Sequence, residues 1–114
     1  MDYKTASQIS SYLARDYSED FLKLLVNYQD ISASEAASRL SLHIRTAQDF
    51  LDGLASLDIV NKTEVHEKKR PYFRYNLVQE KIVVEVDLAS FAQENPGQGL
   101  ERLVREVVND GVNF

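Results

Sequence analysis

Cysteine is absent from this chain of 114 residues. The protein therefore cannot form a disulfide, a thiolate metal site or a thiol-based redox sensor. A chain without thiols works in a reducing compartment without chemical liability, and we expect a cytoplasmic location.

Long apolar runs are also missing. The amino-terminal stretch MDYKTASQISSYLARDYSED mixes charges throughout and lacks the apolar centre of a signal peptide. Nowhere do about eighteen apolar residues follow one another, which is the length that a membrane-spanning helix needs. We expect no membrane partner.

An excess of positive charge is lacking as well, because the formal net charge is −5. Neutralisation of phosphates by Lys and Arg supplies most non-specific affinity for nucleic acid, so this charge argues against promiscuous binding. Its distribution is uneven. Residues 1–38 carry three basic and six acidic side chains, residues 39–78 seven and five, and residues 79–114 three and seven. Only the middle third is positive.

Motifs that carry catalysis or bind cofactors are not found. The sequence has no glycine-flanked nucleophile, no phosphate-binding glycine loop and no metal-binding histidine pair. The two histidines, His43 and His66, are more simply a turn residue and a strand residue than metal ligands. We therefore expect no enzyme activity, no metal and no cofactor.

Helical periodicity is present in the first third of the chain. Ala6, Ile9 and Leu13 predict a helix over Thr5 to Asp16. A second helix is predicted to begin at Ser18, where a hydroxyl can cap free amides and the acidic residues that follow favour the helix dipole. Its buried stripe comprises Phe21, Leu24, Leu25 and Tyr28.

Two further helices are predicted close together. Ser32 and Glu35 have the spacing of a capping box, which opens a third helix with Ala36, Ala37 and Leu40 inward. A fourth runs from about His43 to Leu57, and Asp58 can adopt the left-handed conformation that ends it. Its inward residues are Ala47, Phe50, Leu51, Leu54 and Leu57.

Strand patterns follow. The segments Ile59 to His66 and Tyr72 to Val78 predict a β-hairpin around the basic loop EKKRP, in which Pro71 fixes the turn. Alternation over Ile82 to Leu88 predicts a third strand, and NPGQG at residues 95–99 is a break. A terminal helix is predicted from an apolar stripe at Leu100, Leu103, Val104, Val107 and Val108.

Helix, capped helix, tight turn, helix and hairpin is the order of a winged helix-turn-helix domain. Residues Ser32 to Lys62, SASEAASRLSLHIRTAQDFLDGLASLDIVNK, resemble the DNA-binding core of ArsR-like and MarR-like transcriptional regulators. The segment Val65 to Leu77, VHEKKRPYFRYNL, resembles the wing of that family. Together they span somewhat under half of the chain, and the resemblance implies duplex DNA as partner.

The predicted fold class is mainly α with a small β component, a winged helix-turn-helix with extra terminal elements. Residues 1–17 form an N-terminal helix, residues 18–80 the DNA-binding domain, and residues 81–114 a strand and a C-terminal helix. The two outer units are candidates for dimerisation.

Side chains opposite the inward stripe of the fourth helix are candidates for reading base edges. Arg45 would bind guanine as a forked donor, and Gln48 adenine as a paired donor and acceptor. Asp49 would accept from a cytosine amino group or hold Arg45 from the i+4 position, and Thr46 lies at the margin. Asp52 faces solvent or pairs with a neighbouring basic side chain such as Arg45. The alternative is a helix face that is polar only for solubility.

Phosphate contacts are expected from the basic residues of the turn and hairpin: His43, Lys62, Lys68, Lys69, Arg70 and Arg74. The alternative is a charged hairpin that protects a sheet edge from aggregation. Members of the resembled family usually have a small polar residue in place of His43, and a basic or neutral residue in place of Asp49 and Asp52. Some members sense metals through cysteine pairs or through Asp and His on the terminal helix. This function is not carried over, because cysteine is absent and no histidine follows His66.

Dimerisation is expected from apolar residues outside the DNA-binding domain: Ile9, Leu13, Leu100, Leu103, Val104 and Val107. A symmetric dimer would match a palindromic operator. The alternative is that the terminal stripe folds back on its own domain. No residue pattern identifies a small-molecule effector. A second hypothesis is a winged-helix protein–protein interaction module without DNA binding, for which an acidic surface is unremarkable.

Overall fold

The computed structural model describes residues 1–67 and 70–92. These form four α-helices and a three-stranded antiparallel sheet, followed by a short 3₁₀ helix. The mainly helical class with a small β component is confirmed. The elements are α1 (Tyr3–Leu13), α2 (Ser18–Asn27), β1 (Ile31–Ser32), α3 (Ala33–Leu40), α4 (Ile44–Ser56), β2 (Val60–Glu67), β3 (Arg70–Leu77) and the 3₁₀ helix Leu88–Ala92.

The first two helices lie close to their predicted positions. α1 starts two residues early because Asp2 caps it, accepting a hydrogen bond from the Thr5 amide at 2.9 Å. α2 begins at Ser18 as predicted, with Glu19 and Asp20 in its first turn, but the predicted hydroxyl cap is wrong. The Ser18 hydroxyl makes no cap bond and instead donates to the Tyr12 carbonyl, tying the end of α1 to α2.

The helix pair α3 and α4 is joined by a tight turn. Ser32 caps α3, as the capping-box spacing predicted, by accepting from the Glu35 amide at 3.2 Å. Ser41 ends α3 with a left-handed φ of 56°. His43 then caps α4 through its ring nitrogen Nδ1, which accepts from the Arg45 amide at 3.1 Å. After α4, Asp58 has a φ of 59°, as predicted.

The sheet has the order β1-β3-β2. β2 and β3 form the predicted hairpin, in register from Val60 opposite Leu77 to Glu67 opposite Arg70, but Pro71, predicted to fix the turn, lies within β3 opposite His66. The sequence did not reveal β1, which pairs Ile31 with Tyr75 and is too short to show alternation. β1 therefore joins the start of α3 to the hairpin.

The core lies between the helices and the sheet. Phe21 of α2 and Phe50 of α4 are fully buried, with ring centroids 4.7 Å apart. Tyr17 packs on Phe50 edge to face at 5.2 Å. α1 contributes Tyr12, whose ring lies against Gly53 and Phe50. α4 is thus buried on one side from Ala47 to Leu54.

The predicted strand over Ile82 to Leu88 is wrong. Residues 81–87 have no regular secondary structure, and no strand within the described residues pairs with them. Alternation forms a strand only where another strand offers backbone hydrogen bonds. Ile82 packs against the core, whereas Val83 and Val86 are exposed. The predicted terminal helix, with Leu100, Leu103, Val104 and Val107, lies outside the described residues.

Candidate nucleic-acid interface

One face of α4 is open to solvent at its amino end. Ala47, Phe50 and Leu51 are buried, whereas Arg45 and Asp49 are exposed. Thr46 and Gln48 are half-buried. Ile44 was not predicted as a site residue, although it is 52% exposed at the first position of α4. An apolar side chain outside the inward stripe was the signal that could have identified it.

Two surface hollows meet at this end of α4. The first has a volume of about 340 Å³ and is lined by Ile44, Arg45, Gln48 and Asp49. The second, of about 330 Å³, lies between the starts of α3 and α4 and the β3 segment 71–73. Both hollows are lined by Ile44 and Gln48, so they adjoin one another, and together they are called the α4–hairpin surface.

A hydrogen-bonded cluster, the Asp52 network, connects α4 to the hairpin and shares Gln48 with this surface. Asp52 Oδ1 accepts from Lys62 Nζ at 2.8 Å and from the Tyr75 hydroxyl at 2.7 Å. Gln48 Nε2 donates to Asp52 Oδ2 at 3.1 Å and to the Tyr75 hydroxyl oxygen at 2.6 Å. Lys62 also lies 4.1 Å from the ring centroid of Phe73. These contacts fix the angle between α4 and the hairpin.

The charges of the Asp52 network balance one another. Burial raises the pKa of Asp52, but hydrogen bonds from Lys62, Tyr75 and Gln48 outweigh it and hold the pKa below its ordinary value. Burial, together with donation to Asp52, raises the pKa of Tyr75 far above its ordinary value. Asp52 is therefore an ionised acceptor at neutral pH, and Tyr75 a protonated donor. The partner of Asp52 is Lys62 on the hairpin.

Arg74 of β3 forms a second link, which joins the hairpin to Asp30 and to Glu35 of α3. Its guanidinium lies 2.6 Å from Asp30 Oδ1 and 2.9 Å from Glu35 Oε1, and its side chain is 25% exposed. Hydrogen bonding to Asp30 raises the pKa of Arg74 further above its usual range. Two carboxylates balance this one charge, so Arg74 joins β3 to the start of α3.

No protein-family model and no curated protein matches this chain. Solved structures do match. A "possible transcriptional regulator" from Methanosarcina mazei Go1 is 15% identical, with 94% of this chain and 88% of that one covered at a TM-score of 0.57. NolR from Sinorhizobium fredii is 16% identical, with 68% and 72% covered at a TM-score of 0.52.

The fold is a winged helix-turn-helix. At these identities the likeness shows the fold alone, and it confirms the winged helix-turn-helix expected from the sequence. In this fold α4 occupies the position of the recognition helix, and the β2–β3 hairpin is the wing. The α4–hairpin surface is thus the concave side between recognition helix and wing.

The charged residues predicted to contact DNA, on the wing and on the recognition helix, differ in their surroundings. Lys62 and Arg74 are paired with carboxylates, as described. Arg45 on the recognition helix and Arg70 on the wing make no ion pair with any other described residue. Lys68 and Lys69 lie outside the described residues. Asp49 forms no ion pair with Arg45 within the described part, so the i+4 pairing is not seen.

The histidines have separate surroundings. His43 caps the recognition helix, and His66 in β2 lies 3.5 Å from Glu64. Over residues 1–67 and 70–92, no group of three metal-ligating side chains lies close enough to hold an ion. In the same residues, no helix combines the length and the apolar character required to cross a bilayer.

Proposed function

We propose that this protein is a transcriptional regulator that binds duplex DNA sequence-specifically as a homodimer in the cytoplasm, without enzymatic activity. The observation that carries this proposal is the α4–hairpin surface. Its two adjoining hollows lie along the exposed amino end of the recognition helix and against the wing, and the Asp52 network ties the wing to that helix. Residues near the amino end of a recognition helix reach deepest into the major groove.

Base reading is assigned to the exposed side chains of α4. Arg45 has an unpaired guanidinium among the described residues and is suited to guanine as a forked donor. Asp49 is an acceptor for a cytosine amino group, and Thr46 contributes a hydroxyl at the margin. Gln48 lines both hollows. Asp52 is excluded from base reading because Lys62, Tyr75 and Gln48 occupy its carboxylate.

Phosphate contacts are assigned to the turn before α4 and to the wing. These residues are His43, Lys68, Lys69 and Arg70. Lys62 was also expected to contact phosphates, but its ion pair with Asp52 favours a role in holding the wing against α4. The sequence also predicted a phosphate contact for Arg74, but its ion pairs with Asp30 and Glu35 favour a different role. We assign it to holding the wing against α3.

The homodimer is proposed to form from elements outside the winged helix. Ile9 is 4% exposed and belongs to the core of its own domain, so it supports α1 from within. Leu13 is 37% exposed, and we assign to it the contact of α1 with the partner copy. The C-terminal residues Leu100, Leu103, Val104 and Val107 complete the proposed interface.

Salt-dependent DNA binding tests the proposal. Fluorescence anisotropy of a labelled random-sequence duplex is measured with wild type and with the triple variant Lys68→Ala, Lys69→Ala, Arg70→Ala. The plot of log K against log salt has a negative slope, and each lost phosphate contact should make it shallower by about one. The matched control, Lys4→Ala, Lys23→Ala, Lys81→Ala, removes equal charge from exposed positions elsewhere and should keep the wild-type slope.

A protein-interaction module is the second candidate. It is favoured by the net charge of −5 and by a groove of about 530 Å³ between the ends of α2 and β3, lined by the exposed Val26 and Val78. This candidate predicts no salt-dependent DNA binding, with loss of partner binding when Leu103 or Val107 becomes charged. Equal, weak binding by wild type and triple variant would refute the wing assignment and favour this candidate.

A further inference from the structure

The orientation of the Gln48 side-chain amide follows from the chemistry of its neighbours. An ionised carboxylate such as Asp52 only accepts hydrogen bonds, so the Tyr75 hydroxyl must donate its single proton to Asp52 Oδ1, 2.7 Å away. The Tyr75 oxygen is then an acceptor. Both groups that Gln48 touches are acceptors, and only its amide nitrogen can serve them, at 2.6 Å and 3.1 Å.

This arrangement uses all the donors that Gln48 has. An amide nitrogen carries two hydrogens, and here one is bound by Tyr75 and the other by Asp52. The carbonyl oxygen Oε1 accepts no hydrogen bond from any described residue. Gln48 nevertheless lines both hollows of the α4–hairpin surface. The only side-chain group of Gln48 that remains for DNA is therefore its carbonyl oxygen, which is a hydrogen-bond acceptor.

We propose that Gln48 reads DNA as an acceptor only, binding an exocyclic amino group in the major groove, either N6 of adenine or N4 of cytosine. This inference rests on the proposed function and replaces the paired contact to adenine expected from the sequence. That contact needs a free amide N–H for adenine N7 as well as the carbonyl for N6. Asp49, next to Gln48 in the first hollow, adds a second acceptor that favours amino groups.

Base analogues separate the two ways of reading. A duplex is first selected from a random pool with the full chain. Each adenine is then replaced by purine, which lacks the amino group, or by 7-deazaadenine, which lacks N7. Each cytosine is replaced by 2-pyrimidinone, which lacks N4. At the base read by Gln48, loss of the amino group should weaken binding about five-fold. Loss of N7 at an adenine should change binding by less than about two-fold.

Variants assign the contact to its residue. In Gln48→Ala the sensitivity to that amino group should disappear. The matched control is Gln8→Ala, at an exposed glutamine of α1, which should retain it. Adenine and cytosine are distinguished by which analogue shows the effect that depends on Gln48. The inference is overturned if an adenine needs both N6 and N7 and both requirements vanish in Gln48→Ala, or if no base depends on Gln48.

A measurement without DNA tests the locked amide itself. By NMR, the two Nε2 protons of Gln48 should exchange with solvent more slowly than those of Gln8, because both are hydrogen-bonded. Exchange at the rate of Gln8 overturns the inference whether or not DNA binds. If exchange is slow but no duplex is enriched from the pool, the proposed function is wrong. The reading role of Gln48 is then wrong as well, although both amide protons of Gln48 are hydrogen-bonded as described.

Discussion

The hydroxyl of Tyr75 is the centre of the contact between recognition helix and wing, and Tyr75→Phe removes it without changing the packed ring. Two hydrogen bonds are lost, one to the ionised Asp52 and one from Gln48. Bonds to a charged group contribute about 1.5–3 kcal/mol and neutral ones about 0.5–1.5 kcal/mol. Because the Asp52 side chain is 41% exposed, water replaces part of this. We expect a net loss of about 1–2 kcal/mol.

Urea unfolding followed by circular dichroism measures this loss. With a slope of about 1–3 kcal/mol per molar urea, the midpoint should fall by roughly 0.3–2 M at an unchanged slope. Tyr72→Phe is the matched control. Its hydroxyl lies 3.4 Å from Glu67 at the exposed end of the wing, and its removal should cost less than about 0.5 kcal/mol.

The pH dependence adds a second test. The folded-state pKa of Asp52 lies below its ordinary value of 3.8, so its ionised form stabilises the fold above that pH. This contribution is lost as the pH falls through the lower, folded-state pKa. Tyr75→Phe removes one cause of the lowering, so the gap in stability between wild type and variant should narrow as the pH falls below 3.8. A gap below about 0.5 kcal/mol at pH 7, or one that widens in acid, would refute the reasoning.

Two other substitutions test the packing of the helices. Gly53→Ala should destabilise the wild type, because the new Cβ would collide with the Tyr12 ring, yet stabilise the Tyr12→Ala background by about 1 kcal/mol through helix propensity. Urea midpoints that move in the same direction in both backgrounds would contradict this. Ser41→Gly should raise stability by about 0.5–1 kcal/mol, since glycine tolerates the left-handed turn. Ser38→Gly, inside α3, is its control and should lower stability. If a thermal scan shows equal shifts of the melting temperature for the two variants, the turn at Ser41 is not strained.

Local signals predicted most of the helices and the hairpin. The capping pattern at Ser32, the stripe of α4 and the left-handed Asp58 each depend on neighbours within a few residues along the chain. Such signals are present in the sequence itself. The strand predicted at Ile82 failed because alternation says nothing about whether a pairing edge is available.

The internal order of the candidate site could not be predicted in the same way. Asp52 meets Tyr75 across 23 positions of sequence, and Gln48 meets it across 27. The sequence showed that Gln48 lies on the open face of a helix, but only the tertiary contact shows which of its atoms are already used. Arg74 is similar, because its partner Asp30 is 44 positions away.

The acidic residues of the recognition helix can now be separated by their surroundings. Asp52 is compensated within the domain by Lys62, so it adds no net repulsion toward phosphate at close range. Asp49 has no such compensation among the described residues, and it lies beside Gln48 in the first hollow. A carboxylate there is unfavourable opposite the O6 and N7 acceptors of guanine and favourable opposite an amino group. On the proposed function, the negative charge of this helix therefore acts on sequence choice, whereas the wing supplies the attraction to the DNA backbone.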